Sequence, residues 1–255
     1  MRELLERVAA GDCSPAAAES QLRGYATGDG GRFDAARTSR TGIPEGILAD
    51  GKTTAEIVAL ALDAVDATGR ALVTRLDDET ADAIDRAVSG EFSGATVDHD
   101  ARARTVVVRA LDYDPPALDA TVGVVTAGTS DAVPAGETAV VAGEMGAAIE
   151  RVDDVGVAGI HRLFDQLDRI REPDVLVVAA GREGALPTVV AGLVDAPVIA
   201  LPVSNGYGHA GEGEAALDGM LQSCTPLSVV NIDAGFGAGA QAGLIARTVD
   251  RARSD

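Results

Sequence analysis

The sequence predicts an α/β protein, a three-layer sandwich with helices on both faces of a parallel sheet, behind a smaller α+β region. Three observations predict it. From residue 121 onward, apolar runs alternate with helix-like stretches in five consecutive strand–helix units. The runs TVGVVTA, DVLVVAA and PVIALPV are apolar throughout rather than alternating, as in strands buried on both faces. Aromatics make up only 3% of the chain and Trp is absent, so Ala and Val must fill the core, which suits helices packed closely on a sheet.

The elements follow in order. Met1–Ala10 reads as a helix, and Ser14-Pro15 starts a second short one, with Ser as N-cap and Pro at the first helical position. Residues 27–52 read as loop. Thr53–Thr68 is an amphipathic helix that stops at Gly69. ALVTRL is a strand, Asp77–Val88 a helix and ARTVVVRAL a strand. The stretch DYDPPALDA is a linker, because consecutive prolines stop helix and sheet alike. This sets an N-terminal region at 1–114 and a second domain at 115–255. In the second domain strands are expected at 121–127, 149–153, 174–180, 197–203 and 227–233. Helices are expected near 135–147 and 159–171, then to about 193, 223 and 252. Right-handed crossovers between them make a flavodoxin-like sandwich.

Charge narrows the function classes. The net charge is −19, and so acidic a surface repels nucleic-acid backbones. Lys52 is the only lysine among 21 basic residues. Acidic excess with almost no lysine is expected of a cytoplasmic protein from a high-salt organism, where salt screens self-repulsion. No run reaches the ~18 apolar residues of a membrane helix, and MRELLERVAAG has no signal-peptide core. Two cysteines, Cys13 and Cys224, make neither a disulfide framework nor a zinc site. His99, His161 and His209 show no metal-ligand spacing.

In such a fold, ligands bind outside the carboxyl ends of the strands. Four glycine-rich loops are expected there: AGTSD, AGREGALP, PVSNGYGHAGEG and NIDAGFGAG. One such loop is more simply a tight turn; four on one rim point to a site. Thr129, Ser130 and Asp131 suit a phosphate-and-ribose pocket. Glu183 reads either as an acid favoured at a helix start or as a general base. Asp233 reads as a loop cap or a substrate contact. Cys224, taken alone, reads as a packed small residue.

Together these residues carry a resemblance. GTSD, EGALPTVVAGLVDAPVIALPVSNGYG, MLQSC and VVNIDAGFGAG resemble the LarB family of nickel-pincer cofactor biosynthesis, whose C-terminal domain is PurE-like, similar to aminoimidazole ribonucleotide (AIR) carboxylase. FDAARTSRTGIPEGILADGKT resembles the same family through Asp34, Arg37, Arg40, Gly42, Pro44, Glu45, Gly51 and Lys52. Arg182 stands where the family pattern is apolar.

The resemblance implies pyridinium-3,5-biscarboxylic acid mononucleotide synthase activity. Nicotinic acid adenine dinucleotide is carboxylated at C5 with CO2 as co-substrate, and its phosphoanhydride is cleaved to release AMP. It implies Cys224 as a nucleophile adding to the pyridinium ring, Glu183 as proton acceptor and Asp233 as second choice. The implied substrate contacts are Arg37, Arg40 and Lys52 with Gly128, Thr129, Ser130, Asp131, Gly184, Asn205, Tyr207, Asn231, Gly235, Phe236 and Gly237. Mg2+ is expected to travel with the substrate phosphates, its protein ligands unassigned, and no organic cofactor is expected. A homo-oligomer is expected, an octamer being the PurE-type assembly, with the Ala/Gly-rich C-terminal helix as a candidate contact. Two alternatives stand beside this reading: a PurE-like AIR carboxylase or mutase, and a non-catalytic nucleotide-binding module. One tension is internal. Cys224 precedes its strand, which puts it toward the sheet end opposite the ligand rim.

Overall fold

The structure is a computed structural model that describes residues 2–11, 13–15, 18–19, 22, 24–28, 31–205 and 208–254. It divides into two compact units, Met1–Asp114 and Pro115–Asp255.

In the first unit, α1 (Arg2–Ala10) comes first. The short helix expected after Ser14-Pro15 falls partly outside the described residues. The segment read as loop contains β1 (Ala26–Gly28) and β2 (Gly31–Phe33), α2 (Arg37–Thr41) and β3 (Gly46–Leu48). Then follow α3 (Thr54–Thr68), β4 (Arg70–Thr74), α4 (Asp78–Glu91), β5 (Thr96–Asp100) and β6 (Thr105–Arg109). α3 starts at a complete capping box, in which Thr53 accepts from the Glu56 N–H and the Glu56 carboxylate accepts from the Thr53 N–H. It ends at Gly69, whose φ of 75° suits glycine. β3, β4, β6 and β5 form a mixed four-stranded sheet in that order, with β3 parallel to β4 and the other pairs antiparallel. The core beneath it joins Ile57, Ala61 and Ala64 of α3 and Ile84 and Val88 of α4 to Val73, Val106 and Val108.

The second unit is the expected sandwich. Its strands are β7 (Thr121–Thr126), β8 (Ala148–Val152), β9 (Val175–Ala180), β10 (Val198–Pro202) and β11 (Ser228–Val229). Its helices are α5 (Ala132–Glu144), α6 (Ile160–Asp165), α7 (Leu167–Arg171), α8 (Ala185–Ala191), α9 (Glu214–Leu221) and α10 (Gly235–Ser254). All strand pairs are parallel, in the order β11-β10-β9-β7-β8. Alternate residues of one strand feed the two cores. Val175, Val177 and Ala179 pack on α5 and α10, while Leu176, Val178 and Ala180 meet Leu163, Ile170, Leu186 and Met220. Two expected elements differ in detail. The single helix near 159–171 is two, broken at Gln166, and the last strand covers two residues rather than seven.

The C-terminal helix explains its own glycines. Gly235, Gly239 and Gly243 recur every four residues and so share one face of α10. A Cβ there would lie 2.3 Å from the Pro134 carbonyl, 2.6 Å from the Thr138 carbonyl and 2.6 Å from Met145 Sδ. Only hydrogen at these positions lets α10 approach α5 so closely, and the Thr138 hydroxyl donates to the Gly235 carbonyl at 3.0 Å across the contact. This glycine face, whose first residues are expected to serve a ligand loop, is buried inside the unit.

Candidate active site

A cleft of about 330 Å3 opens beyond the carboxyl ends of β7 and β9, and every residue lining it belongs to the second unit. From β7 the chain turns outward to β8, whereas β9 and the later strands lie on the other side. That reversal of strand order is where an open parallel sheet leaves a crevice.

The first wall follows β7 and is lined by Ala127, Gly128, Ser130 and Asp131. Asp131 is only 3% exposed. Its Oδ2 accepts from the Gly128 N–H at 2.8 Å, and Ser130 Oγ lies 3.5 Å from its Oδ1. Burial pushes its carboxyl above the usual range, and the hydrogen bonds from Gly128, Ser130 and Ala127 oppose that. Thr129 is exposed in the same turn.

The second wall follows β8 and contributes Gly156, Val157, Ala158 and Arg162. A Cβ at Gly156 would sit 2.6 Å from the Ala127 carbonyl, so glycine lets this wall close on the first. Asp154, with φ 62°, pairs with Arg162 at 2.8 Å.

The third wall follows β9 and carries Gly181, Arg182, Glu183, Ala185 and Leu186. Its turn is closed by the Gly184 N–H donating to the Gly181 carbonyl at 2.9 Å. It is also pressed against α9: a Cβ at Gly184 would lie 2.5 Å from the Ala216 carbonyl, and one at Gly219 would lie 2.4 Å from the Glu183 carbonyl. Glu183 is thereby exposed to the cleft on a turn with little room to move. Asn205, from the loop after β10, lines the cleft and donates through Nδ2 to the Ser130 carbonyl, tying two walls together.

The structure thus gathers Gly128, Ser130, Asp131, Glu183 and Asn205, with Gly184 supporting them from behind. It places other expected contacts elsewhere. Asp233 Oδ1 accepts from the Ser204 N–H at 3.0 Å, and its own N–H donates to the Pro202 carbonyl at 2.9 Å, so it clamps the β10 loop and is not a lining residue. The Asn231 side chain accepts from the Ile232 N–H at 2.9 Å. Gly235, Phe236 and Gly237 form the first turn of α10. Tyr207 lies outside the described residues. Within the first unit, Arg37 pairs with Glu45 at 3.0 Å and Arg40 with Asp34 at 2.5 Å, while Lys52 Nζ donates to the Leu48 carbonyl at 2.6 Å. Hydrogen bonding from Arg40 holds the Asp34 carboxyl below its usual value; burial raises that of Glu45 against the pull of Arg37.

Cys224 is exposed and is not among the lining residues. It lies between α9 and β11, toward the amino end of the sheet. There the Thr225 hydroxyl, 2.8 Å from that of Ser223, donates to the Thr188 carbonyl at 3.2 Å. One chain therefore does not bring the sulfur into its own cleft.

Sequence reasoning missed the second wall with Arg162, and marked Arg182 only as a departure from the family pattern, not as a lining residue. The β8 loop, DDVGVAGIHR, is less rich in glycine than its neighbours, but it leaves the carboxyl end of a parallel strand, and that position alone puts it on the rim. Among the described residues no three His, Cys, Asp or Glu side chains cluster as a metal cage, and no helix is long and apolar enough to cross a membrane.

Comparison with known proteins fits this architecture. An uncharacterized protein of Methanocaldococcus jannaschii is 40% identical over 225 residues, covering 86% of this chain and 85% of that one. Residues 25–110 match the LarB/PurE-like N-terminal domain, and residues 121–254 match the AIR carboxylase family. With those two domains in that order, and a switch-point cleft in the second, the chain belongs to the LarB family of carboxylase-type proteins with a PurE-like C-terminal domain.

Proposed function

We propose that the protein carboxylates the pyridinium ring of nicotinic acid adenine dinucleotide at C5 and cleaves its phosphoanhydride, giving pyridinium-3,5-biscarboxylic acid mononucleotide and AMP. What carries the reading is that a LarB-type N-terminal domain precedes the AIR carboxylase domain in a chain that also exposes a free thiol at Cys224.

A pyridinium ring is electron-poor, so its C5 does not attack CO2 unaided. Addition of the Cys224 thiolate at C4 gives a dihydropyridine whose C5 is enamine-like. C5 then forms the new bond to CO2. Glu183 takes the C5 proton, and the electrons of that C–H bond restore the ring as the C4–S bond breaks. Buried Asp131 holds the Gly128–Ser130 turn in shape beside the ring site. Mg2+ accompanying the substrate would supply neutralisation of the diphosphate charge, and water then cleaves the anhydride to release AMP. Among the described residues no carboxylates cluster as a metal cage, and Glu183 is the proton acceptor, so such an ion would be held mainly by the substrate's own phosphates.

Because Cys224 lies away from the cleft of its own chain, the sulfur comes from a second copy. The test uses purified protein with nicotinic acid adenine dinucleotide, bicarbonate and Mg2+. AMP and a mononucleotide heavier by one carboxylate are expected, and both vanish in Cys224→Ala. Cys224→Ala and Glu183→Gln, each inactive alone, should regain activity when unfolded and refolded together. Full activity in Cys224→Ala sinks the mechanism. The cleft itself contains no thiol, which favours AIR carboxylation as the second reading. Turnover of carboxyaminoimidazole ribonucleotide that survives Cys224→Ala would establish it.

A further inference from the structure

The turn after β9 carries a residue that the proposed chemistry does not use, the one non-glycine with positive φ among the described residues that line the cleft. Arg182 lines the cleft beside Glu183 with φ 50°, in the left-handed region that favours glycine. Glycines flank this stretch at 181 and 184, so the turn could have been built with another one at lower backbone cost. A long cationic side chain stands there instead, in a chain of net charge −19.

The turn is also held from behind. Gly184 bonds to Gly181, and the close approaches of Gly184 to Ala216 and of Gly219 to Glu183 leave it no room to relax. Such a turn pre-organises what it carries, so less freedom is lost when a ligand binds. Strain retained on a rigid turn, with its side chain at a ligand cleft, is the pattern of a binding residue.

We propose that Arg182 is a specificity-determining residue that binds an anionic oxygen group of the substrate, phosphate or ring carboxylate, through its planar guanidinium. The inference rests on reading this cleft as the substrate site, and its test reads binding rather than turnover.

Full-length wild type, Arg182→Gly and Arg182→Gln would be titrated calorimetrically at low and high salt. The ligands are nicotinic acid mononucleotide, which carries phosphate and carboxylate, nicotinamide mononucleotide, which lacks the carboxylate, nicotinic acid riboside, which lacks the phosphate, and inorganic pyrophosphate. Both variants should bind nicotinic acid mononucleotide at least tenfold more weakly, and salt should weaken wild type more than either variant. Arg182→Gly should unfold at the same or a higher urea concentration than wild type, since glycine relieves the φ. That separates lost contact from lost fold. The ligand for which variants and wild type bind alike lacks the group that Arg182 holds. If wild type binds pyrophosphate in an Arg182-dependent way but no pyridine compound, the pyridinium reading falls and the role of Arg182 stands. Undiminished binding of every ligand by Arg182→Gly overturns the proposal, as does a wild type that binds none of them.

Discussion

Replacing Gly239 by alanine should destabilise the second unit, although the same change in most helices is favourable. In a helix interior, Gly→Ala gains roughly 1 kcal/mol from backbone entropy. At Gly239 the new methyl would stand 2.6 Å from the Thr138 carbonyl and 2.9 Å from Val141 Cβ, where ordinary contact begins at 3.4 Å. The first of these is backbone of α5 and cannot rotate away, so the two helices must separate locally by roughly 0.8 Å. Overpacking of this kind costs about 1–3 kcal/mol. With the propensity gain set against it, and the clash on rigid backbone, we expect a net loss of ~1–2 kcal/mol. Gly90, in α4, is the internal control: a Cβ there meets nothing within 4 Å, so Gly90→Ala should stabilise the first unit by about 0.5–1 kcal/mol. Urea unfolding followed by circular dichroism reads both, with unchanged slopes, and hydrogen exchange assigns each change to its unit. If Gly239→Ala raises the midpoint as Gly90→Ala does, helix contact is not what the glycine face is for.

Three further outcomes are expected. Gly219→Ala should push the Glu183 carbonyl off α9, speed hydrogen exchange at residues 181–185 and weaken ligand binding about tenfold, whereas unaltered exchange there would remove the claim that α9 braces the turn. For Asp131, burial raises the folded carboxyl above its unfolded value, so the folded state binds the proton more readily. Wild type should therefore gain stability relative to Asp131→Asn as pH falls from the raised value toward the unfolded value near 3.8, and a difference between the two proteins that does not change with pH contradicts this. Asp34 is the opposite case: Arg40 lowers its carboxyl, so the stabilisation is complete above the unfolded value and lost as pH falls through the lower folded one. The destabilisation of Asp34→Asn should shrink on acidification over that range, as urea midpoints at successive pH values would show.

Legibility followed burial. β7, β9 and β10 were readable because strands covered on both faces must be apolar throughout, and few other structures demand that pattern. β5 was not. Thr96, Asp98, His99 and Asp100 are exposed, and the strand exists because β6 offers a hydrogen-bonding edge. The segment 27–52 was read as loop for a similar reason: its strands are three residues long and owe their existence to partners elsewhere in the unit. In the cleft, small and acidic residues at strand ends pointed to the first and third walls. Glycine was the misleading signal. Gly235 reads like a residue that admits a ligand, but what it admits is the backbone of α5. Only the four-residue period of Gly235, Gly239 and Gly243 distinguishes the two, and it needs the helix to be known first. Arg182 reads only as a departure from an apolar family position until its φ and its place on the cleft are seen.

The same geometry decides what Cys224 can do. α9 is pressed against the Glu183 turn at Gly219, and the segment after it is bonded to α8 through Thr225 and Thr188. Base and thiol are thus fixed to one rigid α/β layer, toward opposite ends of the sheet. A strand of five residues spans roughly 16 Å, far beyond the ~3–3.5 Å at which a nucleophile meets its target. Bringing the two together in one chain would mean undoing the contacts that hold the turn in place. If Cys224 attacks the ring, the site must be completed by another copy, and catalysis then depends on assembly. Specific activity should fall on dilution along with the oligomer mass measured by light scattering, while Arg182-dependent binding to a single chain's cleft should not. Activity that stays constant as the protein dissociates to single chains would exclude a shared site, and with it Cys224 as the nucleophile in this fold.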